Sequence, residues 1–371
     1  MNNQRLIDVF LEITKIDALS GDEKPLADYI KYFLGRYNYI IAEDKSTKFT
    51  NSNTGNLICK IGSGGDFILL SHMDTARSTQ NVKPAIKEDR IVSSGDTVLG
   101  VDNRAGISVL LYTLERIAQE NIHVKDFTVA FTTCEETTLL GSKNLAVDGA
   151  IKKGFIFDSG YRPGNFIYSA CGAMGFNIKI IGKASHSGLA PEKGINSLMI
   201  AAKAIGELPL GRIDEETTMN IGVLNSGSAV NVIPEVTELM GEVRSFDLKK
   251  AEHYFDFLIK TFKEKAELAG AKMELDYFWD FMPYTISESS FVYQETVRVI
   301  KKVGLQPTPR ISLGGSDANS LNGRGIESIN LGIGAQNPHS NDEFIYIEDL
   351  FKTAEIAIEL VKENNQNEKT F

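Results

Sequence analysis

Asp66-Phe67-Ile68-Leu69-Leu70-Ser71-His72-Met73-Asp74 is an apolar, strand-like run that ends directly in a histidine and a carboxylate. Similar runs stand at Asn56–Ile61, Phe127–Thr132 and Gly154–Phe157. A helical pattern fills Asn103 to Gln119, and a shorter one fills Leu139 to Val147. Strands alternating with helices predict crossover units and a mostly parallel sheet flanked by helices. A short hairpin, Pro84–Lys87 with Arg90–Ser93, interrupts the alternation. Upstream, Leu6, Val9, Phe10 and Ile13 mark one amphipathic helix. Pro25 to Tyr37 marks a second, preceded by Ser20-Gly21-Asp22-Glu23, which has the spacing of a capping box.

The order of elements changes near Ala173. Strand (Gly175–Lys183), helix (Gly194–Glu207), strands (Thr218–Leu224 and Val236–Phe246), helix (Leu248–Leu268) and strand (Lys272–Phe278) follow in turn. This is the ferredoxin-like β-α-β-β-α-β order. The expected organisation is therefore a catalytic α/β domain in two parts, 1–172 and 284–371, with an inserted α+β domain at 173–283. The resumed pattern comprises Glu295–Val303, Glu327–Ile333 and Glu348–Lys362, and the polar tail from Glu363 is expected to fray.

A chain of 371 residues is long enough for two cores, and 42% hydrophobic with 24% charged residues is ordinary globular composition. The net charge of −10, with no basic stripe, argues against nucleic acid as a partner. No apolar run reaches the length of a membrane span, and the first residues read as a helix rather than a signal peptide, so a cytoplasmic protein is expected. Three widely spaced cysteines, Cys59, Cys134 and Cys171, fit buried thiols in a reducing compartment, not a disulfide scaffold.

Acidic and histidine residues gather at strand ends. His72 and Asp74 follow one strand, Glu135 and Glu136 another, and Asp158 a third, while Asp102 opens a helix. Ligands of an open parallel sheet bind beyond the carboxyl ends of its strands. Carboxylates crowded there repel unless a cation neutralises them, and imidazole with carboxylate suits Zn²⁺. Two ions sharing one carboxylate would leave coordination free for a substrate. Each residue also has a plainer reading taken singly: Asp74 as a turn residue, Asp102-Asn103 as a helix cap, Glu135-Glu136 as an acidic first turn, and His186 and His339 as loop histidines. His123 and His253 keep such readings, on a loop and on a helix face. Joint occurrence at successive strand ends is what selects the metal centre.

Five ordered segments resemble a family of metallopeptidases that includes peptidase T, aminoacylase and glutamate carboxypeptidase. They are Leu69-Leu70-Ser71-His72-Met73-Asp74-Thr75, Gly100-Val101-Asp102-Asn103-Arg104-Ala105-Gly106, Thr133-Cys134-Glu135-Glu136, Phe157-Asp158-Ser159-Gly160, and Asn337-Pro338-His339-Ser340 with Asn341-Asp342-Glu343. The resemblance implies two Zn²⁺ per subunit (Mn²⁺ or Co²⁺ suit the same ligands), with His72 and Asp158 on one, Glu136 and His339 on the other, and Asp102 bridging. It implies Asp74 as hydrogen-bond support for His72 and Glu135 as general base toward a metal-activated water. The inserted domain resembles the family's lid and dimerisation domain, which implies a homodimer. There His186 matches an oxyanion-stabilising histidine that acts across the dimer. Asn231 and Arg244 match residues that grip the substrate carboxylate, and a guanidinium fork suits that task. Gly314-Gly315-Ser316-Asp317 resembles a substrate loop; by itself it reads as a turn.

His72-Met73-Asp74-Thr75 followed by Asn81-Val82-Lys83-Pro84 is most similar to peptidase T, which implies removal of the N-terminal residue of tripeptides. The alternatives are an N-acyl amino acid deacylase or carboxypeptidase-type amidohydrolase, or a catalytically silent metal-binding protein. Gly62-Ser63-Gly64-Gly65 lacks the lysine of a phosphate-binding loop and reads as a turn.

Overall fold

The computed structural model describes residues 3–363, so the polar tail from residue 364 onward lies outside the described residues. The described chain separates into two compact units. One takes the chain up to Ser169, Thr285–Ile311 and the part from Ser316; the other takes Ala170–Tyr284 with Ser312–Gly315.

In the first unit, the parallel strands lie in the order Phe127–Thr132, Phe67–His72, Lys153–Ser159, Glu327–Gly332. Strand Leu57–Ile61 pairs antiparallel outside Phe127–Thr132, with Ile41–Glu43 beyond it. On the other side, Asn330 and Leu331 pair antiparallel with Ile167 and Phe166 of a strand, Asn165–Ala170, that the periodicity does not reveal. Every residue of Phe67–His72 and of Phe127–Thr132 is buried, as strands covered on both faces require. The register pairs His72 with Thr132, so the carboxyl ends of these strands finish side by side.

Helix Val101–Glu120 lies against Phe67–His72 and Lys153–Ser159, and Asn3–Ile13 and Ile347–Val361 pack on it in turn. The close approach depends on Gly106, where a Cβ would come within 2.3 Å of the Phe157 carbonyl oxygen and 2.5 Å of Ser71 Oγ. The helix closes at Asn121, whose left-handed φ of 51° is a common helix stop.

Two local expectations are corrected. The segment Ser20–Glu23 forms no capping box: Glu23 sits at the N-cap of helix Lys24–Gly35 without a capping hydrogen bond. Its carboxylate is fully buried and accepts instead from the amides of Gly21 and, 111 residues away, Cys134. A tertiary partner has displaced the local one. The helix expected over Leu139–Val147 is a single turn, Leu140–Lys143, because Leu139 adopts a φ of 61° and the Asn144 side chain donates back to the Leu140 carbonyl. The Gly62–Gly65 stretch is a turn, with Gly64 N donating to Ile61 O and Ser63 bonded to Asp126.

The second unit is an antiparallel sheet in the order Gly211–Arg212, Thr217–Ser226, Val236–Ser245, Gly172–Ile181, Lys272–Phe281. Helices Ser197–Ile205 and Leu248–Leu268 supply the two crossovers. Phe255, Leu258, Phe262 and Ala266 recur at helical spacing and are buried with Phe176, Ile178 and Leu239 of the sheet. Each such large side chain, fully buried, contributes about 1.5–3 kcal/mol. Val223, Leu224, Met240 and Tyr277 of the same sheet are exposed. Among the described residues, no helix is long and apolar enough to cross a membrane, and all three cysteines are buried and outside any disulfide.

Candidate active site

His72 is the last residue of its strand and is 1% exposed. Its Nε2 lies 3.0 Å from Asp102 Oδ1 and 3.0 Å from Asp158 Oδ1. Asp158 comes from strand Lys153–Ser159, and Asp102 from the start of helix Val101–Glu120, where Asp102 and Asn103 leave helical geometry and their peptide bond is cis. The second Asp102 oxygen faces another histidine: Oδ2 lies 3.4 Å from His339 Nε2, which is 3.0 Å from Glu136 Oε1. Three groups, His72/Asp102/Asp158, Asp102/Glu136/His339 and His72/Glu135/Glu136, each bring ligand atoms within 4.8 Å of one another. All five residues expected to bind metal thus converge, with Asp102 common to two clusters.

The donor set fits divalent ions. Ligands at zinc distances in a tetrahedron lie about 3.3–3.6 Å apart, close to the spacings here. Glu136 Oε1 is buried and accepts no hydrogen bond, although the His339 ring nitrogen stands beside it. Two such atoms that approach closely in poor hydrogen-bond alignment are arranged as ligands of a cation.

The charge balance points the same way. For His72, burial favours the neutral ring, but Asp102, Asp158 and Asp74 outweigh it and hold the pKa well above the usual value. His339 is pushed up to about 10 by Asp102 and Glu136. Burial opposes ionisation of Asp102, yet the two histidines lower its pKa. Burial raises Glu135 strongly, and it raises Glu136 and Asp158 as well. Without an ion, protons must serve as the cations of this cluster.

Backbone amides and buried carboxylates hold the clustered side chains in place. Asp74 is fully buried, and its carboxylate accepts from the Glu135 amide (3.0 Å), the Glu136 amide (3.1 Å) and Ser20 Oγ (2.6 Å). The closest partner of His72 Nδ1 is the Asp74 carbonyl at 3.0 Å; the carboxylate itself is 3.4 Å away. Asp74 therefore orients the imidazole chiefly through its backbone, and its side chain organises the loop bearing Glu135. Asn103 Nδ2 donates to the Phe157 carbonyl and Asp158 Oδ1.

Four residues that support this site had no expected part in it from the sequence. Glu343 is 2% exposed and accepts from the amides of Gly100 (2.6 Å) and Asp102 (3.2 Å); burial raises its pKa to about 7. Arg104 is fully buried, donates to the Met73 and Ile16 carbonyls, and is lowered by burial to about 10. Asp317 begins a helix, Asp317–Gly323, which a true capping box at Ser316 starts. It is buried, accepts from Thr132 Oγ1 and is raised by burial to about 6. Glu23 is the fourth. Glu343, Arg104 and Asp317 lie inside the segments that carry the family resemblance, so proximity to a motif is the available signal.

The remaining expected residues lie in the second unit. His186 is exposed, and its Nδ1 accepts from the amides of Gly188 and Leu189, which leaves the proton on Nε2. Asn231 is exposed nearby, its carbonyl accepting from Ser187 N. Arg244 is already engaged: its fork holds Glu242 at 2.8 and 3.0 Å, and Nη1 donates to the Leu313 carbonyl. At Gly315 a Cβ would meet the Phe281 ring at 2.5 Å, so the loop packs flat on that side chain.

Known proteins resemble the chain throughout. Residues 168–274 match the peptidase dimerisation domain, and residues 84–175 match the M42 glutamyl aminopeptidase family. An uncharacterized protein of Bacillus subtilis, YqjE, is 32% identical over 369 residues, covering 98% of this chain and 99% of the relative. A tripeptidase from Staphylococcus aureus superposes with a TM-score of 0.91 at 31% identity, over 98% of each chain. Aminopeptidase PepT from Bacillus cereus superposes with a TM-score of 0.87 at 32% identity, over 97% of this chain and 98% of its own. By these likenesses, on the strand-end histidines and carboxylates described above, the chain belongs to the peptidase T-like family of metallopeptidases.

Proposed function

We propose that this enzyme removes the N-terminal residue of tripeptides, using two divalent ions, zinc in the first instance, with Mn²⁺ or Co²⁺ able to occupy the same ligands. His72 and Asp158 would hold one ion, Glu136 and His339 the other, and Asp102 both. The observation that carries the reading is Asp102, whose two oxygens face two separate histidine–carboxylate clusters. Ions held there supply Lewis-acid polarisation of a carbonyl and make water more acidic.

Glu135 is the general base in this reading. It is buried, lies in one cluster with His72 and Glu136, and its raised pKa makes it able to take a proton from water and pass it to the leaving amine. Asp74 keeps Glu135 and Glu136 in place through their amides.

The segment 173–283 acts as lid and dimerisation domain, a role supported by its match to the peptidase dimerisation domain. His186, with its proton on Nε2, suits stabilisation of an oxyanion in the other subunit of a homodimer. Asn231, Gly315 and Arg244 contact the peptide, Arg244 exchanging part of its Glu242 pairing for the substrate carboxylate. The tripeptidase and aminopeptidase relatives support the choice of a short peptide. The buried, unoxidised thiols suit a cytoplasmic setting.

Metal analysis beside hydrolysis of trialanine and of N-acetyl amino acids, before and after chelation, tests the reading. Cleavage of trialanine that disappears on chelation and returns with Zn²⁺ is expected. Cleavage of the N-acetyl amino acids alone would move the enzyme to the deacylases, and metal binding without hydrolysis would make it a silent binder. Sedimentation is expected to give a dimer.

A further inference from the structure

The loop that carries Glu135 and Glu136 cannot hold its own shape. Cys134, Thr138 and Leu139 all adopt left-handed φ values, of 51°, 64° and 61°, without being glycine. Such residues persist only where their surroundings over-determine them. Three consecutive amides, those of Cys134, Glu135 and Glu136, project from the loop toward buried carboxylates. Asp74 takes the second and third. Glu23 takes the first, with Oε1 accepting from Cys134 N at 2.9 Å.

Glu23 is itself fixed. It is 0% exposed, accepts from Gly21 N at 3.0 Å, and receives a hydrogen bond from Ser52 Oγ on its other oxygen. The same short segment reaches Asp74, since Ser20 Oγ donates to Asp74 Oδ2. Ser20 and Glu23 thus bracket the loop from one side, Glu23 as one of the two carboxylates that fill its amide nest and Ser20 as a donor to the other, Asp74.

We propose that Glu23 is a positioning residue of the hydrolytic site, with Ser20 as its auxiliary: together they set the backbone of Cys134–Glu136 and so aim Glu135 and Glu136. The proposal rests on the reading of those two residues as base and ligand. Glu23 touches neither substrate nor ligand atoms; it works through the Cys134 amide. A carboxylate is suited to the task because its two oxygens satisfy four donors at once, the amides of Gly21 and Cys134, the Cys134 thiol and Ser52 Oγ, in a place water does not reach.

The test compares wild type, E23A, E23Q and the double variant S20A/S52A in the metal-loaded enzyme. Hydrogen exchange at the amides of 134–136 is followed together with kcat, KM and metal content. E23A is expected to lower kcat by about 10–100-fold with KM little changed, the usual scale for loss of an outer partner. It should speed exchange at those three amides while leaving strand Phe127–Thr132 protected. E23Q, which keeps an oxygen for the Cys134 amide and can reverse its bond with Ser52, should recover most of both effects. S20A/S52A should show the same pattern in weaker form, and it decides the matter if E23A does not fold. Exchange at 134–136 unchanged in the folded variants, or a kcat loss that follows only a fall in folded fraction, overturns the proposal. An E135Q control that retains full hydrolysis would instead overturn the assignment of the base, and the exchange result would stand apart from it.

Discussion

The cluster around His72 lies inside the core, whereas the one around His339 opens to solvent. The His72 and Asp158 side chains are 2% and 9% exposed; His339 is 48% exposed. His72 and Asp158 stand on strands with hydrogen-bonded neighbours on both sides, and Asn103 and the Asp74 carbonyl fix their side chains. His339 stands on a loop beyond strand Glu327–Gly332, at a left-handed φ of 63°. Both use one histidine, one private carboxylate and a share of Asp102. The difference predicts that, with like side chains in both clusters, burial and backbone anchoring set how readily an ion is given up.

Replacing the shared residue should erase the contrast altogether. D102A is expected to lose both ions and to fall to background trialanine hydrolysis; retention of one equivalent of metal by mass spectrometry would show that the clusters do not share this carboxylate. E135Q comes next. It should lower kcat by about 10²–10⁴-fold while leaving metal content at the wild-type level, since Glu135 serves as base and not as ligand in the proposed mechanism.

The single-histidine variants sharpen the comparison itself. H339A should lose one ion and regain part of its activity in excess Zn²⁺, because water reaches that position. H72A should not recover, and it should unfold at a lower temperature, because it leaves buried carboxylates without their partner. Titration with a chelator should remove the ion at His339 first. Equal recovery of the two variants would mean that exposure does not govern exchange.

The smallest effect is one of pH on the metal-free protein. His339 is raised from its ordinary 6.5 to about 10 in the folded chain, and His72 is raised as well. A histidine raised in this way contributes stability that is complete below about 6.5 and is lost as pH rises through the folded value. The melting temperature of the chelated protein should therefore fall between pH 7 and 10. The zinc-loaded protein should fall less, since its ligands are already deprotonated. A metal-free protein that grows more stable over that interval would contradict the proton-for-metal balance described above.

Much of this was legible in the residues. Apolar runs and helical periods gave the parallel core and the inserted β-α-β-β-α-β unit, because burial on a sheet or helix face repeats at short, fixed intervals. Helix Leu248–Leu268 and the hairpin Pro84–Lys87 with Arg90–Ser93 fall where the pattern placed them. Weaker signals failed where local rules were overridden. Strand Asn165–Ala170 lies among turn-forming residues, and the Leu139 helix was cut short by its own backbone.

His72, Glu136 and Asp158 could be picked from sequence because each lies at or just past the end of a strand, and strands in a parallel sheet end together; Asp102 opens a helix, and the ordered motifs pointed to it and to His339. How they are held could not. Glu23 meets the Cys134 amide across 111 residues, and Glu343 meets the Gly100 amide across 243. Nothing in local spacing distinguishes a glutamate that caps a helix from one that caps a distant loop. Sequence alone determined the fold class and the chemical inventory of the site, because both follow from periodicity and side-chain type. Only the tertiary structure decided that Asp74 serves two amides more closely than its histidine, and that Glu23 leaves its own helix. Those outcomes depend on which buried donor lies within hydrogen-bond reach once the chain has closed.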